Sequence, residues 1–521
     1  MTNSAPADVR MQEKVFAFLS DPAIRPRVHR IDTHAASVFL WDARALKIKR
    51  AIRFPFLDYS TLEKRKAACD EEIRINRRFA PQVYHRVVAI TLTRDGSFEI
   101  DGTGEPVEYA VEMSRFDESQ TIDHLAEAGP LDPGLVDAIA EAIAASHRMA
   151  PLAPAERWIN SIPGIIEGNS LAFREAACFA AGDIDDLTQA SLSAFARIRP
   201  LLEQRSRQGY LRRCHGDLHL ANIVLIDRKP VLFDAIEFDP VIPSTDVLYD
   251  LAFPLMDLIH YGRQTAANAL LNRYLALTAS ENLDGLTALP LFLSLRSAIR
   301  ARVLLARLGR NSRDDHETMP SARTYFALAC RTIAPEPPVL VAVGGLSGTG
   351  KSLLARTLAP SVLPQPGAVL LRSDVLRKQL FKVAETDRLP ENAYRPEITE
   401  QIYEILVQRA AHVLSQGHSA VVDAVFAHEA ERNAIRDAAR RLHARFVGPF
   451  LVTDLATRQS RVGHRQRDAS DATPEIAGLQ EKYDVGKVDW AVIDASGTPE
   501  QTLQLCQKAI AHPPDFAAKT R

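Results

Sequence analysis

Strand-length apolar runs crowd the first hundred residues of the chain, and helix-length amphipathic patterns take over after them. Ser37-Val38-Phe39-Leu40-Trp41, Ala45-Leu46-Lys47-Ile48-Lys49, Arg86-Val87-Val88-Ala89-Ile90 and Tyr109-Ala110-Val111-Glu112-Met113 read as strands. One helix interrupts them. Ser60-Thr61-Leu62-Glu63 has the capping-box pattern, and amphipathic periodicity runs on to Phe79. From Thr121 to Thr332 helical patterns dominate, broken by a strand pair at Ile223-Val224-Leu225 and Val231-Leu232-Phe233. The pattern predicts a sheet-rich lobe over about 30–112 and a helical lobe over about 118–333. Residues 334–338, Ala334-Pro335-Glu336-Pro337-Pro338, can neither continue a helix nor join a central strand, so they predict a stiff linker. Val339-Leu340-Val341-Ala342-Val343 is wholly apolar and suits a buried parallel strand, which opens a further domain over 339–513.

The bulk properties change this picture little. At 521 residues the chain is too long for one hydrophobic core. A net charge of -2 gives no global drive towards nucleic acid or anionic membrane. The five cysteines (Cys69, Cys178, Cys214, Cys330, Cys506) are scattered without CxxC spacing and read as reduced thiols. The first residues lack an apolar signal core, and no apolar run is long enough to span a bilayer. The expectation is a cytoplasmic protein with no membrane partner and no internal repeat.

Two stretches carry chemistry. The first is His215-Gly216-Asp217-Leu218-His219-Leu220-Ala221-Asn222, followed by Phe233-Asp234 after the short strand pair. Phosphoryl transfer needs a carboxylate to receive the acceptor proton and oxygen ligands to hold Mg2+ against phosphates. Asp217 fits the base; Asn222 and Asp234 fit the metal. This stretch resembles the protein-kinase-like superfamily in its aminoglycoside and choline phosphotransferase branch. The resemblance extends to Arg44-Ala45-Leu46-Lys47 as the strand with the phosphate-pairing lysine, although Lys49 shares the face of Lys47 and leaves the choice open. It implies Glu72, or alternatively Glu71, as the partner of that lysine, Glu112 and Met113 as the hinge beside adenine, and Asp250 as a structural carboxylate. His219 is expected to make a supporting hydrogen bond. Two departures stand out: Thr33-His34-Ala35-Ala36-Ser37 replaces a Gly-rich loop, and Asp234-Ala235-Ile236-Glu237 replaces Asp-Phe-Gly.

The second stretch is Gly345-Leu346-Ser347-Gly348-Thr349-Gly350-Lys351-Ser352, a phosphate-binding loop between a buried strand and an amphipathic helix. Backbone N–H groups of Gly345, Ser347, Gly348, Thr349 and Gly350 would face the phosphates, Lys351 would reach them and Ser352 would ligate Mg2+. Arg372-Ser373-Asp374-Val375-Leu376-Arg377 follows a second strand; Asp374 is the candidate base and Arg377 the candidate holder of an anionic acceptor. Asp423 ends another buried strand and is the second metal candidate. Arg458, Arg461 and Arg465 share one helical face, which predicts a lid with Arg461 and Arg465 over the transferring phosphate. This half resembles the P-loop kinases that include gluconate kinase, zeta-toxin-type enzymes and phage polynucleotide kinase. The whole chain resembles a bacterial family that fuses the two modules.

The expected fold is an α+β two-lobed protein-kinase-like domain (1–333) followed by an α/β P-loop domain with a parallel sheet. The expected function is ATP-dependent and Mg2+-dependent transfer of the γ-phosphate to hydroxyls of small-molecule acceptors at both sites. Two alternatives are a nucleic-acid 5′-hydroxyl kinase in the second domain and a regulatory ATP switch in one of the two. Residues 150–210 mix acidic and basic side chains, which does not support a polycationic acceptor.

Overall fold

The strand-length runs of the first hundred residues pair into one antiparallel sheet. The computed structural model describes residues 7–33, 35–54, 57–278, 280–308, 315–334, 336–464 and 469–511. The helix Ala7–Leu19 (α1) precedes strands His29–Asp32 (β1), Ala36–Trp41 (β2) and Arg44–Lys49 (β3). The helix Leu62–Asn76 (α2) follows, then Tyr84–Leu92 (β4), Phe98–Ile100 (β5) and Glu105–Ser114 (β6). The spatial order is β1-β2-β3-β6-β4-β5, so β3 and β6 lie side by side inside the sheet. Val15, Phe16 and Leu19 of α1 bury themselves against Phe39, Leu46, Ile48 and Ile90, where removal of apolar surface from water supplies the main stabilisation.

α2 starts one residue later than its capping pattern: Thr61 is the N-cap and its hydroxyl accepts from Lys64 N. It ends at Asn76 rather than Phe79, because the buried Asn76 amide turns away to bind the backbone of Ala235. Downstream come the helix Pro133–Met149 (α3) and the hairpin Ile223–Ile226 (β7) with Lys229–Leu232 (β8).

Contacts group the chain into two compact units: residues 1–165 with 199–257, and residues 166–198 with 258–521. The second unit contains the helix Gln264–Leu277 (α4) and a six-stranded parallel sheet. Its strands are Val339–Gly345 (β9), Val369–Arg372 (β10), Ala420–Asp423 (β11), Arg445–Val447 (β12), Pro449–Val452 (β13) and Ala491–Asp494 (β14). The order is β10-β11-β9-β13-β14, with β12 beside the first half of β9. The helices Lys351–Leu358 (α5), Ser373–Leu380 (α6) and Pro396–Ser415 (α7) follow β9 and β10, and Leu455–Gly463 (α8) follows β13. The run 339–343 is buried on both faces, as a central parallel strand requires.

Among the described residues β10 is an edge strand, with no strand beyond it. Side-chain amides of α4 serve in place of that missing neighbour. Leu370 N donates to Asn272 Oδ1 at 2.7 Å, while Asn268 and Asn272 donate to Ala368 O at 3.0 and 3.2 Å. Gln264 donates to Pro366 O at 2.9 Å. An unpaired edge invites association with other chains, and amide pairing blunts it.

His418, fully buried just before β11, binds Gly367 O through Nε2 at 3.0 Å, and burial pulls its pKa down to about 4. The ring is neutral in the fold and titrates near its ordinary value when unfolded. Its contribution is therefore complete above about pH 6.5 and is lost as pH falls towards 4, an effect of about 3 kcal/mol. Urea midpoints measured from pH 7 down to pH 4.5 should fall, and His418→Gln should flatten that slope; an unchanged slope would assign it elsewhere. Among the described residues no helix is long and apolar enough to cross a membrane.

Candidate active sites

The first site is built where β3, α2 and the hairpin meet. The two-residue period puts Lys47 and Lys49 on one face, and both reach Glu72, which is completely buried. Lys47 Nζ lies 2.8 Å from Glu72 Oε1 and 2.6 Å from Asp234 Oδ1. Lys49 Nζ lies 2.6 Å from Glu72 Oε2 and pairs with Glu237 as well. Burial raises the Glu72 carboxyl, yet Lys47 and Lys49 together hold it below the usual carboxylate range. Glu71 points elsewhere, to Arg74 and Arg213.

The two lysines differ in what they could do. Lys47 is beside Asp234, while Lys49 is only 3% exposed and locked between two carboxylates. Lys49→Met should cost roughly 3–5 kcal/mol in urea unfolding, since it strands buried charge. Lys47→Met leaves Glu72 still paired with Lys49, so it should cost less stability than Lys49→Met and lower phosphoryl transfer from labelled ATP by about 10²-fold. The opposite pattern would exchange their roles.

The segment after the hairpin is held by groups from several elements. Asp234 has φ +60, a conformation disfavoured for a side-chain-bearing residue. Its N–H donates to Tyr84 Oη at 3.0 Å, and Ala235 is clamped in both directions by Asn76. His215, fully buried, binds Phe233 O at 2.9 Å through Nε2, and burial lowers its pKa, so the ring is neutral. Asp250 receives Gly216 N at 2.8 Å and His215 N at 3.3 Å, with His147 of α3 at 3.1 Å. Asp257 receives Leu220 N at 3.0 Å. These bonds fix the loop so that Asp217 stands open to solvent, 41% exposed. Asn222 Nδ2 donates to Asp217 O at 2.8 Å, which leaves the amide oxygen as the group a cation can use. His219 Nε2 is 3.5 Å from Asp217 Oδ2.

This donor set fits Mg2+. Asp217, Asp234, Glu72 and Glu237 outnumber the two lysines, and the oxygens of Asp234 and Asn222 are hard ligands. Glu112 and Met113 fit the adenine hinge less well. Both lie within β6, between β3 and β4, so neighbouring strands flank their backbones on both sides. The Glu112 side chain pairs with Arg44 and Arg86. Ser114 N and Arg115 N are also taken, by Val83 O and Ala43 O. Those two N–H groups are therefore not open to a base.

The second site surrounds the loop between β9 and α5. Gly345, Gly348 and Gly350 all have positive φ. At Gly348 a Cβ would sit 2.5 Å from Arg458 O, so only glycine fits, whereas at Gly350 it would meet open space. The loop is a concave run of N–H groups at a helix start, which suits an anion. Lys351 Nζ donates to Leu346 O at 3.0 Å, as does the Thr349 hydroxyl at 2.9 Å. Ser347 N donates to Gln480 Oε1 at 2.7 Å, so a protein group already holds that donor. Ser352 opens α5 beside Lys351.

Asp374 stands at the start of α6. Burial and the neighbouring Asp423 push its carboxyl above the usual carboxylate range, against Arg372 and Lys351. Three expectations need correction. Arg377 is not free for an anionic acceptor: it is 6% exposed, donates to Ala393 O and to Thr399 Oγ1, and stacks over Tyr394 at 5.0 Å. Asp423 is narrower as a metal ligand than expected: Arg372 Nε occupies its Oδ2 at 3.1 Å, which leaves Oδ1 for a cation. The arginines of α8 do not form a common lid. Arg458 is buried beneath the loop against Ser347 O and Glu481. Arg461 binds Ala495 O at 2.9 Å and Gly497 O at 3.1 Å, and Arg465 lies outside the described residues. Arg372, Arg377, Arg458 and Arg461 each spend their guanidinium on carbonyls or carboxylates elsewhere in the chain.

Sequence reasoning missed Asn76, Tyr84, Glu237, Asp257 and Arg372. Only Glu237 had a local signal: a second lysine on the face of Lys47 needs a second carboxylate. It also missed Asp471, which joins Lys378 at 2.7 Å, Tyr394 Oη at 2.7 Å and Leu389 N at 3.0 Å.

Residues 340–482 match a family model described as an AAA domain. The uncharacterized protein Rv2004c of Mycobacterium tuberculosis (strain ATCC 25618 / H37Rv) is 27% identical over 491 residues, covering 91% of this chain and 93% of the relative. The protein Mb2027c of Mycobacterium bovis (strain ATCC BAA-935 / AF2122/97) matches to the same extent. Among solved structures, a choline/ethanolamine kinase family protein from Mesorhizobium loti covers 63% of this chain and 96% of its own, at 14% identity and TM-score 0.37. A gluconokinase from Sinorhizobium meliloti 1021 covers 34% and 93%, at 17% identity and TM-score 0.25. The chain carries a six-stranded antiparallel sheet in its first unit and a six-stranded parallel sheet in its second, and the AAA domain match falls on the second.

Proposed function

We propose that residues 1–333 form an ATP-dependent phosphotransferase acting on a hydroxyl of a small-molecule acceptor, and that residues 339–513 form a second ATP-binding module of P-loop kinase type. The observation that carries the first part is Lys47 bridging Glu72 and Asp234, together with the solvent-open Asp217 held by the buried Asn222. Mg2+-ATP, when bound, supplies the transferable γ-phosphoryl group. Lys47 binds phosphate oxygens, and Glu72 keeps that lysine extended. Asn222 and Asp234 hold the metal. Asp217 orients the acceptor hydroxyl and takes its proton at a carboxylate oxygen. In the second module Gly345 to Gly350 and Lys351 hold phosphates, Ser352 holds Mg2+, and Asp374 takes the proton of an acceptor.

One observation favours a second reading for that module. Arg377 is committed to protein partners and Asp423 is engaged at one oxygen, which leaves Asp374 with little help in binding an acceptor. The module then acts as a nucleotide-operated switch for the first site. A screen of metabolite mixtures with labelled ATP separates the readings, run on wild type, Asp217→Asn and Lys351→Ala. A product lost only in one variant assigns that site. ATP hydrolysis without any labelled product in wild type would sink the transferase proposal.

A further inference from the structure

The amide ties between α4 and β10 end at Leu370, and past that point the two elements enclose a cavity of about 370 Å³. Its volume falls in the range of small-molecule sites. Leu275 and Leu283 form one wall. Leu370, Val375 and Leu376 form the other, so most of the lining is aliphatic. Leu275, Leu283 and Leu376 are each no more than 6% exposed.

Arg409 of α7 is the charged group of this lining that has no carboxylate. Its Nη1 donates to Gln379 Oε1 at 3.2 Å, and no carboxylate among the described residues pairs with it. Burial alone acts on it and lowers its pKa, with no opposing charge to restore it. The other cation of the lining, Arg372, is already held by Asp423. The guanidinium fork matches carboxylate and phosphate geometry and binds such anions by two parallel hydrogen bonds. An aliphatic hollow with one uncompensated guanidinium has the chemistry of a site for an amphipathic anion.

We propose that this cavity binds a small organic carboxylate with an aliphatic body, the body between α4 and α6 and the carboxylate on Arg409. The site is separate from the phosphate loop and uses none of the residues assigned to phosphoryl transfer. Val375, Leu376 and Gln379 belong to α6, the helix that also carries Asp374, so the ligand rests against the back of the second module's acceptor helix.

Decanoate is a suitable probe, titrated into the full-length protein by calorimetry and followed by methyl NMR. Saturable binding is expected below millimolar concentration, and an excess of a non-hydrolysable Mg2+-ATP analogue should not displace it. Arg409→Gln should weaken binding at least about ten-fold, and decanol, with the same body and no charge, should bind correspondingly worse. Leu275→Trp should fill the cavity and abolish binding. If that buried substitution disturbs folding, Ala276→Trp, at an exposed position on the rim, replaces it as the blocking variant. The proposal is overturned if decanoate does not saturate, if the ATP analogue displaces it, or if Arg409→Gln and the blocking variant bind it as wild type does.

Discussion

Asp217→Asn is expected to reduce transfer to the acceptor of the first site by about 10²–10⁴-fold, with ATP affinity nearly unchanged. Asparagine fills the same volume and keeps the Asn222 contact to the backbone carbonyl, so the loop should hold its shape. What it removes is the carboxylate that receives the hydroxyl proton. Asp217 is the exposed member of the loop, whereas His215, Asp250 and Asp257 are buried and spend their polar groups on the loop itself. Their replacement should lower stability together with activity; replacement of Asp217 should lower activity alone. Initial rates at saturating acceptor and circular dichroism melting curves make the comparison. A variant with wild-type turnover would remove Asp217 from the chemistry.

Lys351→Ala is expected to weaken Mg2+-nucleotide binding at the second site by about 2–5 kcal/mol, enough to halve the nucleotide bound per chain at moderate ATP concentration. The loop offers an anion its backbone N–H groups and one ammonium. Ser347 N is engaged by Gln480, Arg458 is held beneath the loop and Arg461 is turned to Ala495 and Gly497. With those groups committed, Lys351 carries the largest share of the charge compensation. Equilibrium dialysis on the Asp217→Asn background keeps first-site turnover from consuming the ligand. If stoichiometry is unchanged while binding at the first site is intact, the loop does not depend on this lysine.

The elements that could be read from the chain were those whose cause is local. The strands around Lys47, the hairpin before Asp234 and the glycine loop announce themselves by alternation, turn residues and motif spacing. α1 did not, because its buried face rests on few residues, Val15, Phe16 and Leu19 chief among them, and means little until a sheet lies beneath it. The arginines misled for a related reason. Helical spacing correctly gives a direction but not a partner, and the carbonyls that receive Arg377 and Arg461 come from residues 393, 495 and 497. Lys47 and Lys49 could not be ranked from sequence because they share a face; burial between Glu72 and Glu237 distinguishes Lys49.

The amides along β10 bear on how such a chain could have been assembled. Pro337 and Pro338 look like a natural joint, and a gene cut there would yield a tidy second reading frame starting at Val339. The resulting piece would lack Asn268 and Asn272, and the strand leading into Asp374 would present bare N–H and C=O groups to any neighbour. Inheritance would then favour the two modules travelling together: a recombinant that separated them at the prolines would gain independence on paper and a self-associating edge in solution.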